Sequence, residues 1–178
     1  MKKISHNNTQ ASEVTTPLPR EGLGGGVITF NTEGTVSMPD IDQQLIRRWV
    51  NDVAVSYGRR VGEINYIFVD DERILEVNRQ FLGHDYYTDI ITFDYTQGRI
   101  ISGDLYISLD TVRSNEEEIR GKEQGARGKE QGTRSKELHR VIIHGVLHLC
   151  GINDKGPGER EIMEACEDKA LAKLNFKN

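Results

Sequence analysis

Along most of the chain, hydrophobic residues alternate between helical and strand periods, and that alternation predicts the elements. Val27-Ile28-Thr29-Phe30 has the composition of a short first strand. From Asp40, Ile41, Leu45, Ile46, Val50 and Val53 recur at spacings of three and four, the stripe of an amphipathic helix that runs to Tyr57 and stops at Gly58. Between Glu63 and Val69, Ile64, Tyr66 and Phe68 alternate with Ile67 and Val69, which suits a strand with much of both faces covered. Asp70 or Asp71 is placed to cap a helix over 72–81, with Ile74, Leu75 and Phe81 on its apolar side. Ile90-Ile91-Thr92-Phe93 and the run from Ile100 to Leu109 read as two strands paired across Thr96-Gln97-Gly98. A helix resumes at Lys136 with Leu138, Val141, Ile142, Val146 and Leu149 on its buried stripe, and His139 is expected to be exposed. A last helix spans 158–174, acidic early and basic late, as the helix dipole favours.

Two stretches break this pattern. Residues 1–26 lack periodicity and end in a Pro- and Gly-dominated run, so they read as a flexible N-terminal tail outside the fold. Gly121-Lys122-Glu123-Gln124-Gly125-Ala126-Arg127 is repeated at once as Gly128-Lys129-Glu130-Gln131-Gly132-Thr133-Arg134. Its heptad length suggests a coiled coil, but only Ala126 is apolar, and four glycines cost a helix about 1 kcal/mol each. Residues 118–135 are therefore expected to form a solvated, low-complexity insert. The expectation is one α+β domain over 27–178, with a mixed, mostly four-stranded sheet and helices on one side. The connections are too short for every strand to be parallel.

Composition narrows the function classes. The chain has 178 residues and 36% hydrophobic content, enough for one well-buried core. Cys150 and Cys166 make no disulfide framework. There is no apolar run of membrane-spanning length and no signal-peptide core, so a soluble, cytoplasmic protein without membrane contact is expected. The net charge of -5 excludes a uniformly basic nucleic-acid binder but leaves room for a local basic cleft.

The candidate chemistry lies in the stretch from Ile143 to Asp154. His144 and His148 are one helical turn apart and project from one face, the spacing of a two-histidine metal clamp. Gly151 can end the helix in the left-handed conformation and turn the chain back, making Asp154 the candidate third ligand. Three N/O ligands from the protein leave a position open, as in a catalytic zinc site. Cys150 points about 200° away from His148 on the helix and reads as a small buried residue.

The stretch His144-Gly145-Val146-Leu147-His148-Leu149-Cys150-Gly151 resembles the signature of the YbeY family of bacterial metal-dependent endoribonucleases. Further resemblances follow in Val77–Phe81, Gly83–Asp85, Thr88–Phe93 and Gly103–Ser108, so that the likeness covers roughly residues 27 to 175. It implies a metzincin-like metal-bearing helix in a single-domain fold and one Zn²⁺ per chain on His144, His148 and Asp154. It also implies cleavage of single-stranded RNA in rRNA maturation, including the 3′ end of 16S rRNA, and in ribosome quality control, with rRNA and the small ribosomal subunit as partners. Two departures stand out. Asp154 occupies the place of the family's third histidine, and Leu82 that of an arginine thought to face the substrate. Arg79, one turn earlier, is the candidate catalytic guanidinium in its stead, with Arg59 and Arg60 as further candidates. Two other readings are a ribosome-assembly factor with weak or no nuclease activity and a metzincin-like metallopeptidase. For the latter, Gly145 stands where a general-base glutamate is required.

Overall fold

The computed structural model describes residues 2–5, 26–123 and 136–174. Among these, strands β1 (Lys2–Ser5), β2 (Val27–Thr32), β3 (Arg60–Val69), β4 (Ile90–Asp94) and β5 (Ile100–Ser108) form one sheet in the order β1-β4-β5-β3-β2. The helices are α1 (Gln43–Ser56), α2 (Asp71–Leu82), α3 (Leu109–Glu123), α4 (Lys136–Leu149) and α5 (Glu159–Ala172). The expected mixed α+β architecture is present. β2, β3 and β5 run parallel, whereas β4 pairs antiparallel with β5. The short turn from Tyr95 to Arg99 leaves no room for a crossover, and Gly98 takes the positive φ that closes it.

The helix boundaries have local causes. The Asp42 side chain accepts from the Leu45 N–H at 2.9 Å and starts α1. Asp70 does the same for α2 through the Arg73 N–H at 2.8 Å, and left-handed Gly83 ends that helix. The main core lies between the sheet and helices α1, α4 and α5, with Ile64, Tyr66, Phe68, Ile101, Leu105 and Ile107 as the sheet's contribution. The indole N–H of Trp49 on α1 donates to the Ala170 carbonyl of α5 at 2.8 Å and fastens the two helices together.

Four expectations are corrected. The helices do not all lie on one side, because Ile67, Val69, Ile91 and Phe93 turn to the opposite face and pack there against Ile74 and Val77 of α2. Lys2–Ser5, placed outside the fold with the tail, pairs in parallel with β4 as an added edge strand. The insert expected over 118–135 begins later, since α3 continues to Glu123 and the Glu118–Lys122 pair at 2.7 Å supports that turn. The remainder of both segments, 6–25 and 124–135, lies outside the described residues. His139 is buried rather than exposed and lies beside the Trp49 ring. The reason is that α4 is buried all round from Leu138 onward, except at Arg140.

Candidate metal centre

α4 is the central helix, and it approaches the sheet closely because Gly145 has no side chain. A Cβ at that position would lie 2.2 Å from Leu105 Cδ2 and 2.9 Å from Ile90 Cδ1. A glutamate therefore cannot occupy the place that the peptidase reading requires. His144 and His148 lie one turn apart on α4, both buried, with ring centroids 4.4 Å apart. After Leu149 the chain turns through Gly151, whose φ of 99° no larger residue adopts readily, and Ile152 N–H bonds back to the Leu147 carbonyl.

That turn brings Asp154 over the two rings. Its Oδ2 lies 3.5 Å from Nε2 of His144 and 3.5 Å from Nε2 of His148, and the three candidate ligand atoms all fall within 4.8 Å of one another. Tetrahedral zinc, with bonds of about 2.0 to 2.2 Å, separates its ligand atoms by about 3.4 Å, so the two separations from Asp154 to the histidines fit. Nε2 of His144 is buried and has no hydrogen-bond partner, an arrangement that a bound cation would satisfy. The other nitrogen of each ring is engaged. Nδ1 of His148, a residue only 2% exposed, lies 2.8 Å from the Ile152 carbonyl, which can only accept, so in the neutral ring Nε2 carries the lone pair. Nδ1 of His144 lies 2.5 Å from Glu167 Oε1 on α5.

A cavity of about 590 Å³ opens beside these groups, with His144 and Asp154 in its wall. Its carboxylates are Asp89, Glu137, Asp154, Glu164, Glu167 and Asp168, and its guanidinium groups are Arg140 and Arg160. Arg140 is locked in place by Nη1 to Glu167 Oε2 and Nη2 to Asp168 Oδ1, each at 2.8 Å. Burial disfavours its charge, but the two carboxylates outweigh that effect and hold its pKa above the usual arginine range. Glu137 is shifted upward, mainly by burial; Arg140 works against that shift, and the neighbouring Asp89 adds to it. Arg160 is 80% exposed along its side chain and pairs with Glu164 at 2.9 Å.

The structure brings together the three residues expected to bind metal. Arg79 lies elsewhere, with its side chain 56% exposed, its Nε bonded to Asp85, and no part in the cavity wall. The Arg59 guanidinium is taken up by backbone carbonyls. Sequence reasoning missed Glu167 and Arg140. One signal was available, because Met163, Glu167, Ala170 and Leu174 follow one another at helical spacing and place a carboxylate within an otherwise apolar stripe.

Residues 28–175 match the family model described as Endoribonuclease YbeY. A relative named Endoribonuclease YbeY from Phocaeicola vulgatus is 62% identical over 150 residues, covering 84% of this chain and 100% of its own length. One of the same name from Bacteroides thetaiotaomicron is 63% identical over 145 residues, covering 82% of this chain and 97% of its own. A solution structure from Thermotoga maritima superimposes with a TM-score of 0.54 at 26% identity, covering 83% of this chain and 89% of that one. The chain belongs to the endoribonuclease YbeY family.

Proposed function

We propose that this member of the YbeY family is a zinc-dependent endoribonuclease that cuts single-stranded RNA at a site built by His144, His148 and Asp154, with one ion per chain. The observation that carries the reading is the convergence of three ligand atoms, and no more among the described residues, beside an open cavity walled in part by His144 and Asp154. A zinc ion held there would polarise a phosphodiester oxygen and lower the pKa of a bound water. The protein's part is to orient the rings and keep the ligand atoms dehydrated. His148 is fixed by the Ile152 carbonyl, His144 by Glu167, and Asp154 by the turn at Gly151.

Carboxylates outnumber guanidinium groups in the cavity wall, so a polyanion has little reason to enter the metal-free site. The metal is then the main positive charge that meets the phosphate. Arg160, exposed at the rim, supplies a second charge. Arg79 is proposed as a further backbone contact, since α2 leads into the loop that ends at Asp89 in the cavity wall. Unpaired RNA is the favoured form because its bases are not held in a helix and can follow the cleft. The biological setting proposed is rRNA maturation, including the 3′ end of 16S rRNA, and ribosome quality control on the small subunit in the cytoplasm. Family membership and the absence of any helix long and apolar enough to cross a membrane among the described residues support that setting.

The test is cleavage of a labelled single-stranded RNA and its duplex form by protein stripped with chelator and then reloaded with zinc. Cleavage of the single strand only, present after reloading and lost in His148→Ala, supports the proposal. RNA binding without cleavage under every metal condition would instead favour an assembly factor.

A further inference from the structure

Glu167 is a carboxylate in a core position, 4% exposed on the buried stripe of α5, and an ionised side chain there requires partners. It has two, one for each oxygen. Oε1 faces Nδ1 of His144 at 2.5 Å, and Oε2 faces Nη1 of Arg140 at 2.8 Å. Arg140 is in turn anchored through Nη2 by Asp168. A guanidinium offers only donors, so Oε2 must accept, and the carboxylate is left with Oε1 as an acceptor for the histidine. We infer that Glu167, backed by Arg140, is a positioning residue that fixes His144 in the Nδ1-protonated tautomer and so presents the lone pair of Nε2 to the metal. This rests on the metal site proposed above.

The arrangement predicts a specific failure when the carboxylate becomes an amide. Gln at 167 has one oxygen and one NH₂ group, whereas both neighbours present N–H groups. Arg140 cannot accept, so the amide oxygen turns to Arg140 and the NH₂ group to His144. Nδ1 must then accept, the ring proton moves to Nε2, and an N–H points at the metal position. Removing the guanidinium frees the amide to rotate and offer its oxygen to His144 again. The effect of Glu167→Gln should therefore be reversed by Arg140→Met, although the second change removes yet another polar group from the network.

The experiment compares wild type, Glu167→Gln and the Glu167→Gln/Arg140→Met double variant. Long-range ¹⁵N–¹H NMR of the metal-free proteins reads the His144 tautomer, competition with a chromophoric chelator reads affinity for zinc ion alone, and thermal melting confirms folding. The expected result is an Nδ1–H tautomer in wild type and Nε2–H in Glu167→Gln, with zinc affinity reduced by about 10- to 100-fold. The double variant should return to Nδ1–H and recover most of that loss. An Nε2–H tautomer in metal-free wild type overturns the inference without recourse to any variant. So does wild-type zinc affinity in Glu167→Gln, or a double variant as weak as the single one. Wild type with Nδ1–H that binds no zinc supports the orientation by Glu167 and overturns the metal site itself, so the two failures are distinguishable.

Discussion

Arg59 on the approach to β3 donates to the carbonyl of Cys150, 91 residues further along the chain, at 3.2 Å. Its other terminal nitrogen donates to Gly98 O at 2.6 Å, so the turn after α4 is fastened to the β4–β5 hairpin. The bond to Cys150 is a charge-assisted one to a carbonyl at the C-terminal end of α4, and the bond to Gly98 reaches the hairpin turn. Arg59→Ala is expected to destabilise the fold by about 1 to 3 kcal/mol, seen as a drop in melting temperature of several degrees. An unchanged melting temperature would show that the turn holds itself.

Gly145 makes a sharper prediction. A methyl group there overlaps Leu105 Cδ2, and overpacking of this kind costs about 1 to 3 kcal/mol. Gly145→Ala should therefore lower stability, and combining it with Leu105→Val should cost less than the two single changes added together. Additive behaviour in urea unfolding would mean that the helix shifts away from the sheet instead.

Asp70 ties α2 to the loop that follows β2. Its carboxylate accepts from the backbone N–H groups of Thr35 and Arg73 and from the Thr35 hydroxyl, each at 2.8 Å, and these bonds hold its pKa below the usual aspartate value. A lowered folded-state pKa means stability that is fully present above the unfolded value of about 3.9 and lost as pH falls through the folded value. Asp70→Ala should cost about 2 kcal/mol at pH 7, and the gap to wild type should narrow in acid. A gap that stays constant from pH 7 down to pH 2 would contradict the assignment.

Arg160 at the cavity rim and Arg79 on α2 are expected to act through phosphate charge. Replacing Arg160 or Arg79 with Gln should weaken binding of a single-stranded oligonucleotide similarly across sequences. It should also reduce the slope of log affinity against log salt by about 0.7 for each phosphate that is no longer neutralised. The zinc content should not change. A slope identical to wild type for Arg79→Gln would leave it as the surface partner of Asp85 and nothing more.

How much of this was legible depended on how local the cause was. His144, His148 and Asp154 lie within eleven consecutive residues, so helical geometry and one glycine turn are enough to bring them together. Glu167 is 23 residues from His144, and its role exists only once α5 has docked on α4. The second covered face of β3 was visible in Ile67 and Val69, yet the alternation could not say which helix covers it. Strand β1 is four residues long and pairs with β4, nearly ninety residues away; a segment so short carries little periodicity. His139 was misjudged because a one-sided apolar stripe assumes a solvent-facing side that α4 lacks beyond its first turn.

If His144, His148 and Asp154 hold one zinc ion, the metal content of the protein depends on all three residues. The most direct test is elemental mass spectrometry of protein purified without chelator or nickel affinity resin, comparing wild type with His148→Ala and Asp154→Ala. The structure predicts about one zinc per wild-type chain and a loss of zinc in both variants, since three is the smallest ligand set expected of a catalytic site. Zinc retained in full by Asp154→Ala, or absent from wild type, would contradict it.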